Sequence, residues 1–236
     1  MPGLIQLDLT NCSDSDGEED DNNLTIVCVD PAPVNCGLAV YDMQSKQFIK
    51  VTTKSFDSKK ELSDMGNARL LENVASFIKK SPVFRQPNTV VFVENQSVGS
   101  DNNKAFSNSR NLAVQYCFQS ILGANRCVPV PPASVKAHFR QHFPLLPRNQ
   151  RTRSRQYRLD KKNAVAFGSK LVGQAMRDKI ARRKNKKVDD AYDAVVITQY
   201  ALECFDLQYV NDKQRVVCRK KTVEKKKKRL RRCDMR

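Results

Sequence analysis

Near residue 190 the chain places acids where an apolar segment is about to begin: Asp189-Asp190-Ala191-Tyr192-Asp193 runs straight into Ala194-Val195-Val196-Ile197, with Lys186, Lys187 and Val188 in front. On a helix, residues three apart are surface neighbours with Cβ atoms about 5–6 Å apart, so Asp190 and Asp193 repel each other unless a cation lies between them. A local lysine meets that demand. So does Mg²⁺ or Mn²⁺, which prefers hard oxygen ligands, while a DDxxD by itself also reads as a helix cap or a dipole complement. Two further acids bear on the choice. Leu24-Thr25-Ile26-Val27-Cys28-Val29 is a short β-branched run ending on Asp30, and Thr89-Val90-Val91-Phe92-Val93 ends on Glu94-Asn95-Gln96. Both read as buried strands that deliver a carboxylate at their C-terminal end. If the two strands lie side by side and a late helix crosses that end of the sheet, Asp30, Glu94, Asp190 and Asp193 surround one spot. Two divalent ions roughly 3.5–4 Å apart would relieve such a cluster, and that arrangement activates water and stabilises the leaving oxygen in phosphodiester hydrolysis.

The elements that must position these acids follow from periodicity. After Asp30 and Pro31-Ala32-Pro33, the segments Gly37–Tyr41 and Gln47–Thr52 read as two strands of an antiparallel meander. Residues Asp64–Lys80 set Leu70, Leu71, Val74, Phe77 and Ile78 on one helical face, with Lys79-Lys80 at the end where cations are favoured. A helix is expected over about Ser107–Leu122, then a strand at Cys127–Val130, whose Pro129 implies an edge position. Residues 144–158 form a Pro- and Arg-rich basic insert, in which Arg148, Arg151, Arg153, Arg155 and Arg158 suit phosphates and Tyr157 stacks or packs, or the whole is a solvated charged loop. A long polar helix over about Leu159–Arg182 precedes the acidic one.

Composition bounds the partners. The 236 residues carry 42 Lys+Arg against 25 Asp+Glu, a net +17. Residues 1–21 hold a net −7 and residues 213–236 a net +11, which leaves +13 for residues 22–212. A core this basic calls for a polyanion, nucleic acid before membrane, since no segment reads as a membrane span, a signal peptide or a basic amphipathic membrane helix. A soluble intracellular protein is expected. The organisation expected is an acidic tail over 1–23 with too little apolar content to fold, one domain over 24–212, and a basic tail over 213–236 that suits nuclear import or a DNA arm. Eight cysteines without a CxxC read as reduced thiols, those at 28, 117 and 204 lying in apolar segments. His138 and His142 share a helical spacing, but the cysteines upstream are wrongly spaced for a zinc finger.

Taken together, the motifs resemble the RuvC-like Holliday junction resolvases of the RNase H-like superfamily, in the branch found in poxviruses and other large DNA viruses. That family's D-x-G-x-x-N turn is matched by Asp30 through Asn35 with Ala32 in place of the glycine. Its E-x-Q is matched by Glu94-Asn95-Gln96, and its D-D-x-x-D by Asp189 through Asp193; Val188 separates the last from the Lys186-Lys187 pair. The resemblance covers roughly residues 24–206. It implies an α/β fold, an RNase H-like mixed five-stranded sheet flanked by helices. It also implies Asp30, Glu94, Asp190 and Asp193 as ligands of two Mg²⁺ or Mn²⁺ ions per active site, with Asp189 a helix cap or the partner of a lysine. Asn35 and Gln96 would position the substrate strand or the attacking water; Lys104, Phe106 and Arg110 fall where resolvases touch the branch point. Arg151, Arg153, Arg155, Lys186 and Lys187 would contact phosphates. The implied activity is structure-selective cutting of four-way junctions by a homodimer, with Leu112, Tyr116, Ile121 and Leu122 as the dimer face, in viral recombination or concatemer processing at a host nucleus or viral replication site. The alternatives are an RNase H-like nuclease acting on RNA–DNA hybrids and a non-enzymatic basic DNA-binding protein.

Overall fold

A computed structural model describes residues 24–57, 67–96, 105–182, 188–210 and 215–221. Three strands come first: β1 (Thr25–Asp30), β2 (Cys36–Asp42) and β3 (Gln47–Lys54). Helices α1 (Asn67–Lys80) and α2 (Pro82–Arg85) lead into β4 (Thr89–Glu94), followed by α3 (Ala105–Leu122), β5 (Cys127–Val130) and α4 (Pro132–His138). Helices α5 (Arg153–Leu171), α6 (Gln174–Ala181) and α7 (Val188–Cys204) then precede a hairpin of β6 (Phe205–Val210) and β7 (Arg215–Lys220).

The sheet order is β3-β2-β1-β4-β5, with the meander antiparallel and β1, β4 and β5 parallel. This is the mixed five-stranded α/β sheet expected from the motifs, with Pro129 on the edge strand. Both faces are covered, which is why β1 and β4 read as unbroken apolar runs. Successive strand residues point to opposite faces. Val27, Val29, Val91 and Val93 meet Leu70, Val74 and Ile78 of α1 and Val114 and Phe118 of α3. Ile26, Cys28, Val90 and Phe92 meet Val196, Ile197, Tyr200 and Ala201 of α7. Asp30 and Glu94 continue the second set, so both carboxylates fall on the α7 side.

Three expectations are corrected. Leu71 is exposed rather than on the packed face of α1. The basic insert is not one loop: Thr152 caps α5, its side chain accepting from the Arg155 amide, so Arg153 and Arg155 stand in the first turn of a helix that ends at Leu171, before Val172 and Gly173 break it from α6. Third, the stretch after residue 212 is not tail throughout. Strand β7 pairs antiparallel with β6, and Val216 is buried beside Tyr209 in the α7-side core. Three consecutive apolar residues between basic ones, in Arg215-Val216-Val217-Cys218-Arg219-Lys220, carry that strand within the run of positive charge. Cys28 is buried, whereas Cys117 and Cys204 are only half-buried. The acidic tail over 1–23 lies outside the described residues, and no described helix is long and apolar enough to cross a membrane.

Candidate metal centre and its cleft

Parallel pairing of β1 with β4 sets Val29 opposite Val93, so the next residues, Asp30 and Glu94, leave the sheet side by side. Helix α7 crosses that end with Asp189 and Asp190 in its first turn. Asp30, Asp190 and Asp193 each offer a carboxylate oxygen within 4.8 Å of the others, the only such group of His, Cys, Asp and Glu among the described residues. Glu94 stands beside this trio. It shares a hydrogen bond with Asp30, and its Oε2 accepts from Gln96 Nε2 at 3.1 Å.

One cation answers the repulsion. Lys161 of α5 puts its ammonium 2.8 Å from Asp190 Oδ1, in closer contact with Asp193 Oδ2, and 3.7 Å from Asp189 Oδ2. Asp189 thus takes the lysine-pairing place expected of it. The electrostatics match the geometry. Burial raises the Asp30 carboxyl well above the ordinary range, and the charges of Glu94 and Asp193 raise it further. Burial and Asp193 raise Glu94. Burial likewise raises Asp193, against the lowering pull of Lys161. For Lys161, burial opposes the charge but is outweighed by Asp193, Asp30 and Asp190, so its ammonium is held more firmly than an ordinary lysine's. An all-oxygen donor set gathered around one ammonium is a set that Mg²⁺ or Mn²⁺ fits, with the ammonium standing where divalent charge would be.

A short side-chain network holds the Glu94 turn. Gln115 Oε1 accepts from the Gln96 backbone amide at 2.8 Å, and Gln115 Nε2 donates to Asn95 Oδ1 at 2.9 Å. Asn111 Nδ2 donates to Gln96 Oε1 at 3.3 Å. Helix α3 therefore orients the turn that presents Glu94.

Above the acids opens a cleft of about 580 Å³, lined by the amides Asn35, Gln96 and Asn111, by Arg110 and Lys136, and by apolar groups of which Tyr157 is exposed. Asn35 and Gln96 thus face the same cavity as the acids. Arg110 also lines the cleft, but with its side chain only 2 % exposed and its guanidinium 3.4 Å from Asp57 Oδ2. Arg151 is exposed but donates to the Leu146 carbonyl from Nε and Nη2, and it lies away from the cleft wall, as do the exposed Arg153 and Arg155. Lys104, Lys186 and Lys187 lie outside the described residues; Phe106 belongs to α3, with its side chain outside them. His138 bonds Glu203 at 2.6 Å.

Sequence reasoning missed Lys161, Asn111, Gln115 and the cleft placement of Tyr157. A signal for Lys161 exists: it shares a helical face with Ala164 and Gly168, small residues that let α5 approach α7. A Cβ on Gly168 would stand 3.0 Å from Tyr192 Cδ1.

No protein-family model matches the chain, and no curated protein matches it. Among solved structures it is similar to Thermus thermophilus RuvC in complex with a Holliday junction substrate, at 16 % identity over 77 % of this chain and 96 % of that one, TM-score 0.47. A second Thermus thermophilus RuvC structure matches at 16 % identity over 76 % of this chain and 96 % of that one, TM-score 0.46. Identity this low assigns no activity.

Proposed function

We propose that this chain is a metal-dependent, structure-selective DNA endonuclease that resolves four-way junctions, acting in the recombination or concatemer processing of a large DNA virus. The observation that carries the reading is the convergence of Asp30, Asp190 and Asp193 around Lys161, with Glu94 alongside, on the floor of an open cleft in a strongly basic chain. The motifs Asp30–Asn35, Glu94–Gln96 and Asp189–Asp193 point to the same family chemistry.

Asp30, Glu94, Asp190 and Asp193 would hold two Mg²⁺ or Mn²⁺ ions. Bound there, the ions would supply charge to activate water and to stabilise the departing oxygen. The chain's own groups do the rest. Gln96, steadied by Asn111 and Gln115, keeps Glu94 oriented. Asn35 and Gln96 meet the substrate strand from the cleft wall. Lys161 offers a cation beside the acids, and with the carboxylates held by ions it would be available to a phosphate oxygen. The basic surface draws in the polyanion.

The wider reading assigns residues 24–221 to the nuclease domain, with an acidic segment before it and a basic one after it that suits nuclear import. A homodimer through α3, using Leu112, Tyr116, Ile121 and Leu122, would give each opposed strand its own active site. The test is cleavage of an end-labelled four-way junction, a fork, a duplex and an RNA–DNA hybrid in Mg²⁺ or Mn²⁺, wild type beside Asp193→Asn. Paired symmetric nicks in the junction, lost in the variant, are expected. Hybrid cutting alone would make it a different RNase H-like nuclease. Salt-sensitive binding without cutting would make it an architectural protein.

A further inference from the structure

Strand β3 forms one edge of the five-stranded sheet. On the α7 side its Val51 is buried with Ile180 of α6 and Val195 of α7. On the α1 side the outer meander stays open. A bulge pairs Val40 with Lys50 and Tyr41 with Phe48, leaving Ile49 as the extra residue, and Ile49 is 56 % exposed. It borders a groove of about 270 Å³ between the meander and the α1–α2 corner. Buried Val27, Val40 and Phe84 form the floor of this groove, and half-buried Phe77 and Val83 stand on its wall.

The rim of the groove is basic. Exposed Lys50 lines it, and an adjoining hollow that shares Phe77, Ser81 and Pro82 with it carries Lys54 and Lys80, also exposed. Lys54 Nζ lies 5.8 Å from the Phe77 ring centroid. No acid among the described residues lines either hollow. The ligand that fits is an apolar segment with carboxylates beside it, and this chain carries one. In Leu4-Ile5-Gln6-Leu7-Asp8-Leu9 the residues Ile5, Leu7 and Leu9 are two apart, a spacing that puts them on one side of an extended segment, and an acidic run over 14–21 follows. The tether reaches. Residues 10–23 join this segment to Leu24 and can span about 46 Å, whereas Val27 of the groove floor is only three residues along the chain from Leu24, about 10 Å along β1. The basic residues of 222–236 would meet like charge there. A second copy does not match the size of the groove, which takes a few side chains, while a stable complex buries about 800 Å² on each partner.

We propose that this groove is the docking site of the chain's own residues 4–9, with the acids of 14–21 set against Lys50, Lys54 and Lys80. The tether makes the contact intramolecular, so even a weak one fills the groove. Docked there, the acidic run neutralises lysines that would otherwise hold the phosphates of any polyanion. The inference stands apart from the nuclease reading, because the groove lies on the side of the sheet opposite α7.

The experiment uses the full chain with the photo-cross-linker p-benzoylphenylalanine in place of the exposed Ile49, mixed with isotope-labelled copies. Irradiation, then digestion behind Glu18 and Glu19, is expected to join residue 49 to the peptide of residues 1–19 of the same copy. Ile5→Asp with Leu7→Asp should lose that cross-link, and Lys50→Glu with Lys54→Glu and Lys80→Glu should weaken it. The substituted lysines are exposed, and circular dichroism checks that each variant keeps the fold. No cross-link to residues 1–19, a cross-link joining different copies, or one that survives Ile5→Asp with Leu7→Asp would overturn the proposal.

Discussion

A Cβ built on Gly37 would stand 1.9 Å from the carbonyl oxygen of Asp190 and 3.3 Å from Cβ of Asp30. Strand β2 thus touches the first turn of α7 through a residue with no side chain, and that contact sets how closely the α7 carboxylates approach Asp30. Gly37→Ala must push α7 outward. Overpacking of this kind costs about 1–3 kcal/mol, and the displaced Asp190 should weaken Mn²⁺ binding as well. Denaturant unfolding and a Mn²⁺ titration on the same variant check both; unchanged metal affinity would show that the close approach does not position the site.

Asp30→Asn removes a carboxylate from the floor of the cleft. If the acids hold catalytic ions, several kcal/mol of transition-state stabilisation is lost, on the order of a thousandfold in rate. The same variant should be no less stable than wild type without metal, because burial and the charges of Glu94 and Asp193 already disfavour the Asp30 carboxylate. Single-turnover cleavage and thermal unfolding in chelator measure the two effects side by side.

Stability should depend on pH with a definite sign. Asp30, Glu94 and Asp193 have carboxyls raised above the ordinary range, so the folded chain holds protons that the unfolded chain has already released. Without metal, stability is greatest below the ordinary carboxylate range and falls as pH rises through the raised values. Lys161, whose ammonium is favoured by the fold, stays charged through that window and loses its contribution only above the ordinary lysine range. Chemical denaturation between about pH 4 and about pH 8 should show this decline in chelator and a flatter profile in Mn²⁺; a rise with pH in chelator would contradict it.

Lys161→Met leaves three aspartates facing one another without their cation. The side chain is 20 % exposed, between the surface and fully buried cases, so a loss on the order of 2 kcal/mol is expected. Mn²⁺ should then raise Tm by more in the variant than in wild type. Equal shifts would mean that the lysine and the ions do not share the carboxylates.

Gln115→Met keeps the size of a buried side chain but drops both its bonds to the Asn95-Gln96 turn. Loss of such outer support typically costs 10–100-fold in metal affinity or activity. The expected signature is a raised Mn²⁺ requirement at unchanged junction affinity, read by metal-dependent cleavage and by binding in chelator.

The local pattern alone determined a good deal of this protein. Unbroken β-branched runs ending on Asp30 and Glu94 read as strands buried on both faces, and on that reading their acids emerge at the strand ends. An acidic turn feeding an apolar helix at 188–204 is equally explicit, and so is the basic balance of the core. Tertiary structure decided the rest, because each remaining feature depends on which face meets which. Lys161 is one charged residue among many in a polar helix until Ala164 and Gly168 draw α5 onto α7. Arg110 reads as a surface cation until packing buries it against Asp57 at the cleft wall. Strand β7 hides in a basic stretch because only pairing with β6 buries Val216. Periodicity reports how a segment repeats along its own axis, whereas the partner of a side chain across space is set by the packing of elements far apart in the chain.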